Sequence, residues 1–306
     1  MKVLISGGSG LIGRQLTASL LKEGHDVVVL SRQPETANPP RGARYVSWDA
    51  RTAEGDWVKE LKGAQAIVNL AGASIGNWPW TKRRMALLLS SRLSATGALM
   101  LALERTPAAM RPPLLVSASG IDYYGDRGDE VITEDSRAGD SFLARLSEQW
   151  ETAAQKAEPL GVRVVRIRTS MVFSREAYAF QLLTLPFRLF VGGPLGDGRQ
   201  WFTWIHIDDI VGIYRLALED ARLSGPVNAV APDIRRERDV ATEIGRVLHR
   251  PALIPAPAFA LRLVLGKESQ LLLHGRHAEP AKALAFGYAF RFGGLHEALE
   301  DVRQAH

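Results

Sequence analysis

Lys2-Val-Leu-Ile-Ser-Gly-Gly-Ser-Gly-Leu-Ile-Gly-Arg-Gln-Leu16 is the stretch on which the fold turns. Lys2 to Ser6 is an apolar run of strand length. Gly7, Gly10 and Gly13 follow with the spacing G-x-x-G-x-x-G. From Leu11 the apolar residues (Leu11, Ile12, Leu16, Leu20, Leu21) change to a helical period that ends near Gly24. Strand, glycine turn and helix in that order are the context a dinucleotide-binding turn requires. Gly7 permits the tight turn, Gly10 lets a pyrophosphate approach the backbone, and Gly13 lets the helix pack closely. The phosphates then meet free N–H groups at the helix N-terminus, where Leu11 and Ile12 begin the first turn. The competing reading is a glycine turn with no ligand.

Working outward, the 306 residues suffice for one large α/β unit and a smaller one. Apolar residues make up 46% and charged residues 23%, the balance of an ordinary globular protein. There is no cysteine, which excludes disulfides and thiolate metal sites. The formal charge of +5 suits an anionic ligand but is equally a solvated-surface balance. The chain opens directly into a strand, and Phe180 to Val191, read as its most apolar stretch, is too short to cross a bilayer. The expectation is a cytoplasmic protein without a membrane partner.

Further strands are expected at Val27–Ser31, Tyr45–Trp48, Gln65–Leu70, Leu114–Ser117 and Val162–Ile167. Helices are expected at about Thr81–Glu104 and Ser141–Ala157, and Pro34–Gly42 reads as a loop. The alternation predicts an α/β fold, a Rossmann doubly wound parallel sheet with right-handed crossovers. After Val172 the rhythm breaks into a Pro- and Gly-bearing region, Leu185 to Trp204. A helix opens at Ile205-His206-Ile207-Asp208-Asp209, and Val227–Val230 is one more strand. The predicted division is a nucleotide domain over 1–173, with 205–232 packing back on it. Residues 174–204 and 233–306 form a smaller C-terminal, substrate-side region.

An NAD site usually carries Asp or Glu at the end of the second strand, where it holds the ribose 2′-hydroxyl. Here that place is Ser31-Arg32. A hydroxyl and a guanidinium accept a 2′-phosphate through charge-assisted hydrogen bonds, so the cofactor expected is NADP(H). The alternative is that Arg32 is a solvated loop arginine.

Several short motifs, spread in order over nearly the whole chain, resemble the extended short-chain dehydrogenase/reductases. They are the glycine turn, Asn69-Leu-Ala-Gly72, Ser91-Arg92, Tyr123-Tyr-Gly125, Trp150-Glu151, Gly192-Gly-Pro-Leu-Gly-Asp-Gly-Arg-Gln-Trp201, Trp204-Ile-His-Ile-Asp-Asp209 and Val227-Asn-Ala-Val-Ala-Pro232. More closely the chain is similar to the epimerase-like subgroup with a C-terminal domain of unknown function. The resemblance implies NADP(H) in a cleft and a small-molecule substrate beside it. It places Leu70, Ala71 and Gly72 against the adenosine and pyrophosphate, and turns Arg92 toward the cofactor. Ser117, Met171 and Val172 would then lie on the nicotinamide side. It is compatible with a homodimer.

Catalysis in that superfamily normally uses a Tyr-x-x-x-Lys pair on the helix after the fifth strand, the lysine lowering the tyrosine pKa. The segment Ser141-Phe-Leu-Ala-Arg-Leu-Ser-Glu-Gln-Trp-Glu151 has neither residue. Counting back from Glu151 puts Leu143 and Ser147 at the two positions; a shift of one gives Phe142 and Leu146. Candidate replacements are Ser119, as a hydrogen bonder to a substrate carbonyl, and Tyr123, as a proton donor; Tyr124 is the neighbouring alternative. Arg199 and Gln200 add polar groups on the substrate side. His206 with Asp208 and Asp209 offers a relay or a metal site on one reading and a helix start at the domain seam on the other; no metal is expected. Glu134-Asp135 reads as loop and cap chemistry. Lys82-Arg83-Arg84 beside Trp78 and Trp80 is basic and aromatic, but no nucleic-acid module surrounds it, and no nucleic-acid partner is expected. Two functions stand: an NADP(H)-dependent oxidoreductase or epimerase, and a cofactor-binding sensor that has lost its acid–base pair.

Overall fold

The computed structural model describes residues 1–34 and 40–304. Most of the loop expected at Pro34–Gly42 therefore lies outside the described residues. The chain runs β1 (Lys2–Ser6), α1 (Leu11–Lys22), β2 (Asp26–Ser31), β3 (Arg44–Ser47), β4 (Ala66–Asn69), α2 (Lys82–Arg105), β5 (Leu114–Gly120), α3 (Phe142–Gln155), β6 (Arg163–Thr169), α4 (Tyr178–Arg188), α5 (Ile207–Glu219), β7 (Gly225–Ala229), α6 (Glu237–Leu248) and α7 (Ala258–Leu265), and ends in the helix Leu295–Gln304. Seven strands pair in parallel in the order β7-β6-β5-β4-β1-β2-β3. The order reverses between β1 and β4, and the crevice beyond their carboxyl ends is where such sheets take ligands.

Alternation along β1 sorts the core. Val3 and Ile5 pack with Leu16 and Leu20 of α1 and with Ile210, Ile213 and Tyr214 of α5. Leu4 faces the other side, with Val28, Ile67, Leu115 and Val164, under Ala95, Leu99 and Leu103 of α2. Both faces are covered, which is why β1, β2 and β4 read as continuous apolar runs. A second lobe gathers Phe173, Phe180, Phe187, Trp204, Ile244, Val247, Leu295 and Leu299. Its link to the sheet is a short parallel pair, Met171–Phe173 with Trp204–His206.

Three expectations need correction. β5 and β6 run on to Gly120 and Thr169 because Ser119 pairs with Arg168 and Gly120 with Thr169. The region after Val172 is less irregular than expected: Tyr178–Arg188 is a helix that holds Pro186 in its last turn and forgoes the bond an N–H at that position would make to the Leu182 carbonyl. Among the described residues the helix with the length and composition of a membrane span is α2, not Phe180–Val191, and half of its apolar window is buried inside the fold.

The His206 segment serves the seam. The His206 ring Nδ1 accepts the Asp208 N–H at 3.2 Å, capping α5. Buried Asp209 accepts the Arg291 and Phe292 N–H groups at 2.8 and 2.9 Å and the Tyr288 hydroxyl at 3.1 Å, fastening the C-terminal segment to α5. Burial lowers the His206 pKa despite Asp208, Asp301 and Asp209 nearby. Among the described residues no group of three or more His, Asp or Glu side chains is placed to hold a metal.

Candidate functional site

The glycine turn sits where the sheet order reverses. Gly7 has φ +72°, and a Cβ there would stand 2.8 Å from the Leu70 carbonyl group. On Gly13 a Cβ would meet Gly7 O at 2.5 Å and Gly8 Cα at 2.6 Å, so the first turn of α1 can close on the loop only without a side chain. Gly10 differs: its nearest neighbour would be Gly7 O at 3.3 Å, and its other side is open. No side chain caps α1, so its first N–H groups are left for a ligand.

That open side borders a cavity of about 1100 Å³. Gly7, Ser9 and Gly10 form one wall, Leu70, Ala71, Gly72 and Ala73 the next, and Ser31, Arg32, Trp48, Asp49 and Arg51 the far end. Ser31 accepts the Gln33 N–H at 3.2 Å, which leaves its own proton for a ligand. Arg32 is exposed, and its guanidinium has no partner among the described residues. Asp49 accepts the Thr52 N–H at 2.9 Å, the Arg51 N–H at 2.8 Å and the Thr52 hydroxyl at 3.0 Å, bonds that hold its carboxyl below the usual range. The Trp48 indole N–H is buried without an acceptor among the described residues. The cavity thus joins a phosphate cradle to an end bearing a hydroxyl and two arginines. Trp48, Asp49 and Arg51 were not anticipated; they follow β3, which has no periodic signal of its own beyond four residues.

Arg84 and Ser91, from two of the motifs, also belong to this lining, and the remaining predicted cofactor residues lie outside it. Leu11 and Ile12 pack into the core from the first turn of α1. Arg92 is buried behind Gly72, donates to Leu88 O at 2.9 Å and Ala73 O at 3.1 Å, and stacks 4.9 Å from the Trp150 ring. Burial, then the charge of Arg84, pulls its pKa down to about 10. Ser117 is buried in β5, and Met171 and Val172 are half-buried beside Leu11. Beneath the floor, a chain missed from sequence joins four elements. Ser6 donates to Asn69 at 2.7 Å, Asn69 to Thr96 at 3.0 Å, and Trp150 to Thr96 at 3.1 Å.

The end of β5 is built differently. Ser119 donates its proton to Glu151 Oε1 at 2.7 Å. Glu151 accepts two bonds from Arg168, at 2.8 and 2.9 Å, and lies 3.4 Å from Arg166. Arg168 also donates to the Tyr124 hydroxyl at 2.6 Å, which in turn donates to Asn228 at 2.7 Å. Burial pushes the Tyr124 pKa up to about 12. Glu134 accepts the Asn228 and Lys282 N–H groups at 3.0 and 3.1 Å. Only Tyr123 stands apart: its ring lies 3.5 Å under the Arg168 guanidinium, and its half-buried hydroxyl has no partner among the described residues. On α3, Leu143 is packed with Trp80, Leu88 and Leu146, while the Ser147 hydroxyl sits 3.6 Å from where Gly120 would carry a Cβ. Arg199 is exposed, and Gln200 donates to Leu195 O and Leu272 O at 3.0 and 2.9 Å, inside the second lobe.

Residues 3–230 match the NAD dependent epimerase/dehydratase family. The chain belongs to that family. Residues 256–302 match a domain of unknown function, DUF1731, so this family member carries the C-terminal extension expected of its subgroup. The chain is similar over its length to the epimerase family protein SDR39U1 homolog, chloroplastic, of Arabidopsis thaliana, at 34% identity over 99% of this chain and 87% of the relative. It is equally similar to YfhF of Bacillus subtilis, at 34% identity over 99% and 98%. The human epimerase family protein SDR39U1, isoform 2, was solved with NADPH and superposes with a TM-score of 0.87 at 34% identity, covering 100% of both chains. Family membership and the Rossmann architecture with an added C-terminal domain thus stand together, with an NAD(P)-type cleft in the place the glycine turn marks.

Proposed function

We propose that the cleft binds NADP(H) and that the protein is an NADP(H)-dependent oxidoreductase of a small carbonyl substrate, working without a Tyr-x-x-x-Lys pair. The observation that carries the cofactor choice is the end of β2. Ser31 keeps a free proton, Arg32 has no partner among the described residues, and the one carboxylate lining that end, Asp49, is already taken up by the Arg51 and Thr52 N–H groups and the Thr52 hydroxyl. The residues fit the group: Gly10 leaves an open cradle at a helix N-terminus, and the cavity runs from it to Arg32 and Arg51. The human relative's complex with NADPH supports the same reading. When bound, NADPH supplies a hydride.

The chain's own part is to hold the substrate and deliver a proton. Ser119 is a poor donor because Glu151 takes its proton; it offers a lone pair instead. Tyr124 is spent on Asn228 and Arg168. Tyr123 is the phenol left without a partner among the described residues, its ring held 3.5 Å under the Arg168 guanidinium. A cofactor-binding sensor is the second reading, favoured by the number of polar groups at the end of β5 that already have protein partners.

One set of measurements tests both parts. NADPH at about 100 times its dissociation constant should stabilise the fold by roughly 2.7 kcal/mol in thermal unfolding. No shift with either dinucleotide removes the cofactor assignment. NADPH consumption against a carbonyl library should fall on the order of 10²-fold in Tyr123→Phe, with cofactor affinity unchanged. Tight NADPH binding with no consumption across the library favours the sensor.

A further inference from the structure

Tyr123 sits in the 3-10 turn Ile121–Tyr124, between β5 and the short strand Val131–Ile132. Such turns are short and their hydrogen bonds poorly aligned, so their shape depends on what holds them from outside. The Tyr123 hydroxyl has no partner among the described residues, and the backbone of the turn therefore decides where it points. Part of the hold comes from the sheet side. The Gly139 N–H donates to Tyr123 O at 2.9 Å, and the Tyr124 hydroxyl is bonded to Arg168 and Asn228.

The rest comes from residues 276–279, inside the matched domain of unknown function. Arg276 places Nη2 2.7 Å from Asp122 Oδ1 and donates from Nε to Gly125 O at 2.9 Å. One guanidinium thus grips the residue before Tyr123 and the residue after Tyr124, a two-point hold that its planar fork suits. The two side chains are only 11% and 17% exposed, so the ion pair is screened less than one at the surface. His277 and Ala278 then pair in parallel with Val131 and Ile132, and the Glu279 N–H donates to Ile132 O at 2.9 Å. Ala278 is buried in one cluster with Ile121 and Tyr124. Glu279 O accepts the side-chain N–H of Asn228, the residue that also receives the Tyr124 hydroxyl, at 2.9 Å.

We infer that Arg276 is a positioning residue, through which the C-terminal domain fixes this turn and so sets the placement of the Tyr123 phenol. Arg276 is not part of the cavity lining and acts through the turn. The inference rests on the reading of Tyr123 as proton donor and adds what the C-terminal domain contributes to it. A pair that merely joined the two parts of the chain would cost the same in every background. A positioning pair costs rate only while Tyr123 has a proton to give.

The test is a double-mutant cycle on the full-length protein, read as NADPH consumption with the best carbonyl of the library. Misplacing a reacting group by about an ångström costs up to the order of 10²-fold in rate. Arg276→Ala should therefore lower kcat on the order of tenfold or more, with KM and NADPH affinity unchanged. In the Tyr123→Phe background the same substitution should cost nothing further. Asp122→Asn, which keeps the shape and removes the charge, takes its place in the cycle should Arg276→Ala misfold. An unchanged kcat, or equal losses with and without the Tyr123 hydroxyl, overturns the inference and leaves Tyr123 as donor. If Tyr123→Phe is as fast as the wild type, or no carbonyl is consumed, the donor or oxidoreductase reading fails instead, and the placement of Tyr123 is read directly. In protein labelled with 3-fluorotyrosine, Arg276→Ala should shift or broaden the Tyr123 fluorine resonance, identified by its absence in Tyr123→Phe. Those of Tyr45 and Tyr214 should stay. A Tyr123 resonance indifferent to Arg276 overturns the inference whatever the activity.

Discussion

At the glycine end of the cleft polar groups face space, whereas at the end of β5 they face one another. Among the described residues Arg32, the Ser31 proton and the first N–H groups of α1 have no partner, and they border a cavity of about 1100 Å³. Ser119, Glu151, Arg168, Tyr124 and Asn228 form an unbroken chain of hydrogen bonds between 2.6 and 2.9 Å. Unsatisfied groups around an opening are what a ligand completes; satisfied groups in a closed volume hold elements together. On the proposed reading the first end is the binding site and the second chiefly a brace, through which α3, β5, β6 and the turn at Tyr123–Tyr124 keep their register.

The largest effect should come from breaking the brace. In Arg168→Ala the Glu151 carboxylate stays buried with only Arg166, at 3.4 Å, as cation. Removing one partner of a buried pair typically costs about 3–5 kcal/mol, and Arg166 should keep the loss near the lower figure. Urea unfolding measures it, and NADPH affinity of the folded fraction should hardly change. A loss below about 1 kcal/mol would mean that the network is not a brace.

Next comes the opposite manipulation, a side chain placed in the opening. Gly10 is in extended backbone, and a Cβ would crowd only Gly7 O, at 3.3 Å. Gly10→Val should therefore fold, yet weaken NADPH on the order of 100-fold or more, a loss near 2.7 kcal/mol. Calorimetric titration at retained thermal stability is the measurement, and undiminished affinity would place the phosphates elsewhere.

How much of this the sequence carried depends on the kind of signal. The step from β1 through the glycines to α1 is local, and a change of period over sixteen residues shows it. The brace is not local: Glu151 and Arg168 meet because Ser119 and Arg168 are register partners on β5 and β6. A hint was present, since Arg166 and Arg168 are two apart on a strand that also carries Val164, Val165 and Ile167, and buried guanidinium groups require acceptors. Ending that strand at Ile167 hid it. α4 was missed because Pro186 looks like a break. Arg32 was legible as a residue but not as an unpaired one.

Between the two extremes lies Glu237, a carboxylate on the first turn of α6 whose hydrogen bond is from the Leu195 N–H at 2.9 Å. Burial raises its pKa from 4.5 to about 7, against the pull of that bond and of Arg238. A raised folded-state value means stability that is fully present below about pH 4.5 and is lost as the pH climbs through 7. Glu237→Gln keeps an acceptor for Leu195 and removes the charge. The variant should exceed the wild type by about 2 kcal/mol near pH 8 and converge with it near pH 5, in thermal unfolding across pH. A constant difference at both pH values would show that the proton is not what the site stores.

The smallest expected effect is the one that sharpens the comparison most. If Arg32 is a group waiting for a ligand, its loss should cost nothing to the folded protein and something to NADPH alone. One charge-assisted contact at an exposed site is worth about tenfold in affinity, or 1.4 kcal/mol. Arg32→Ala should therefore weaken NADPH about tenfold, leave NADH as it was, and leave the melting temperature of the ligand-free protein unmoved. Arg51 lines the same end of the cavity and offers a second positive charge, so the double variant Arg32→Ala, Arg51→Ala should bring the two dinucleotides to near-equal affinity. Equal losses for NADPH and NADH would mean that these arginines hold the shared diphosphate or adenosine rather than the 2′-phosphate. No loss for either would make Arg32 a solvated surface residue and leave the choice between the two cofactors without a physical basis in this cleft.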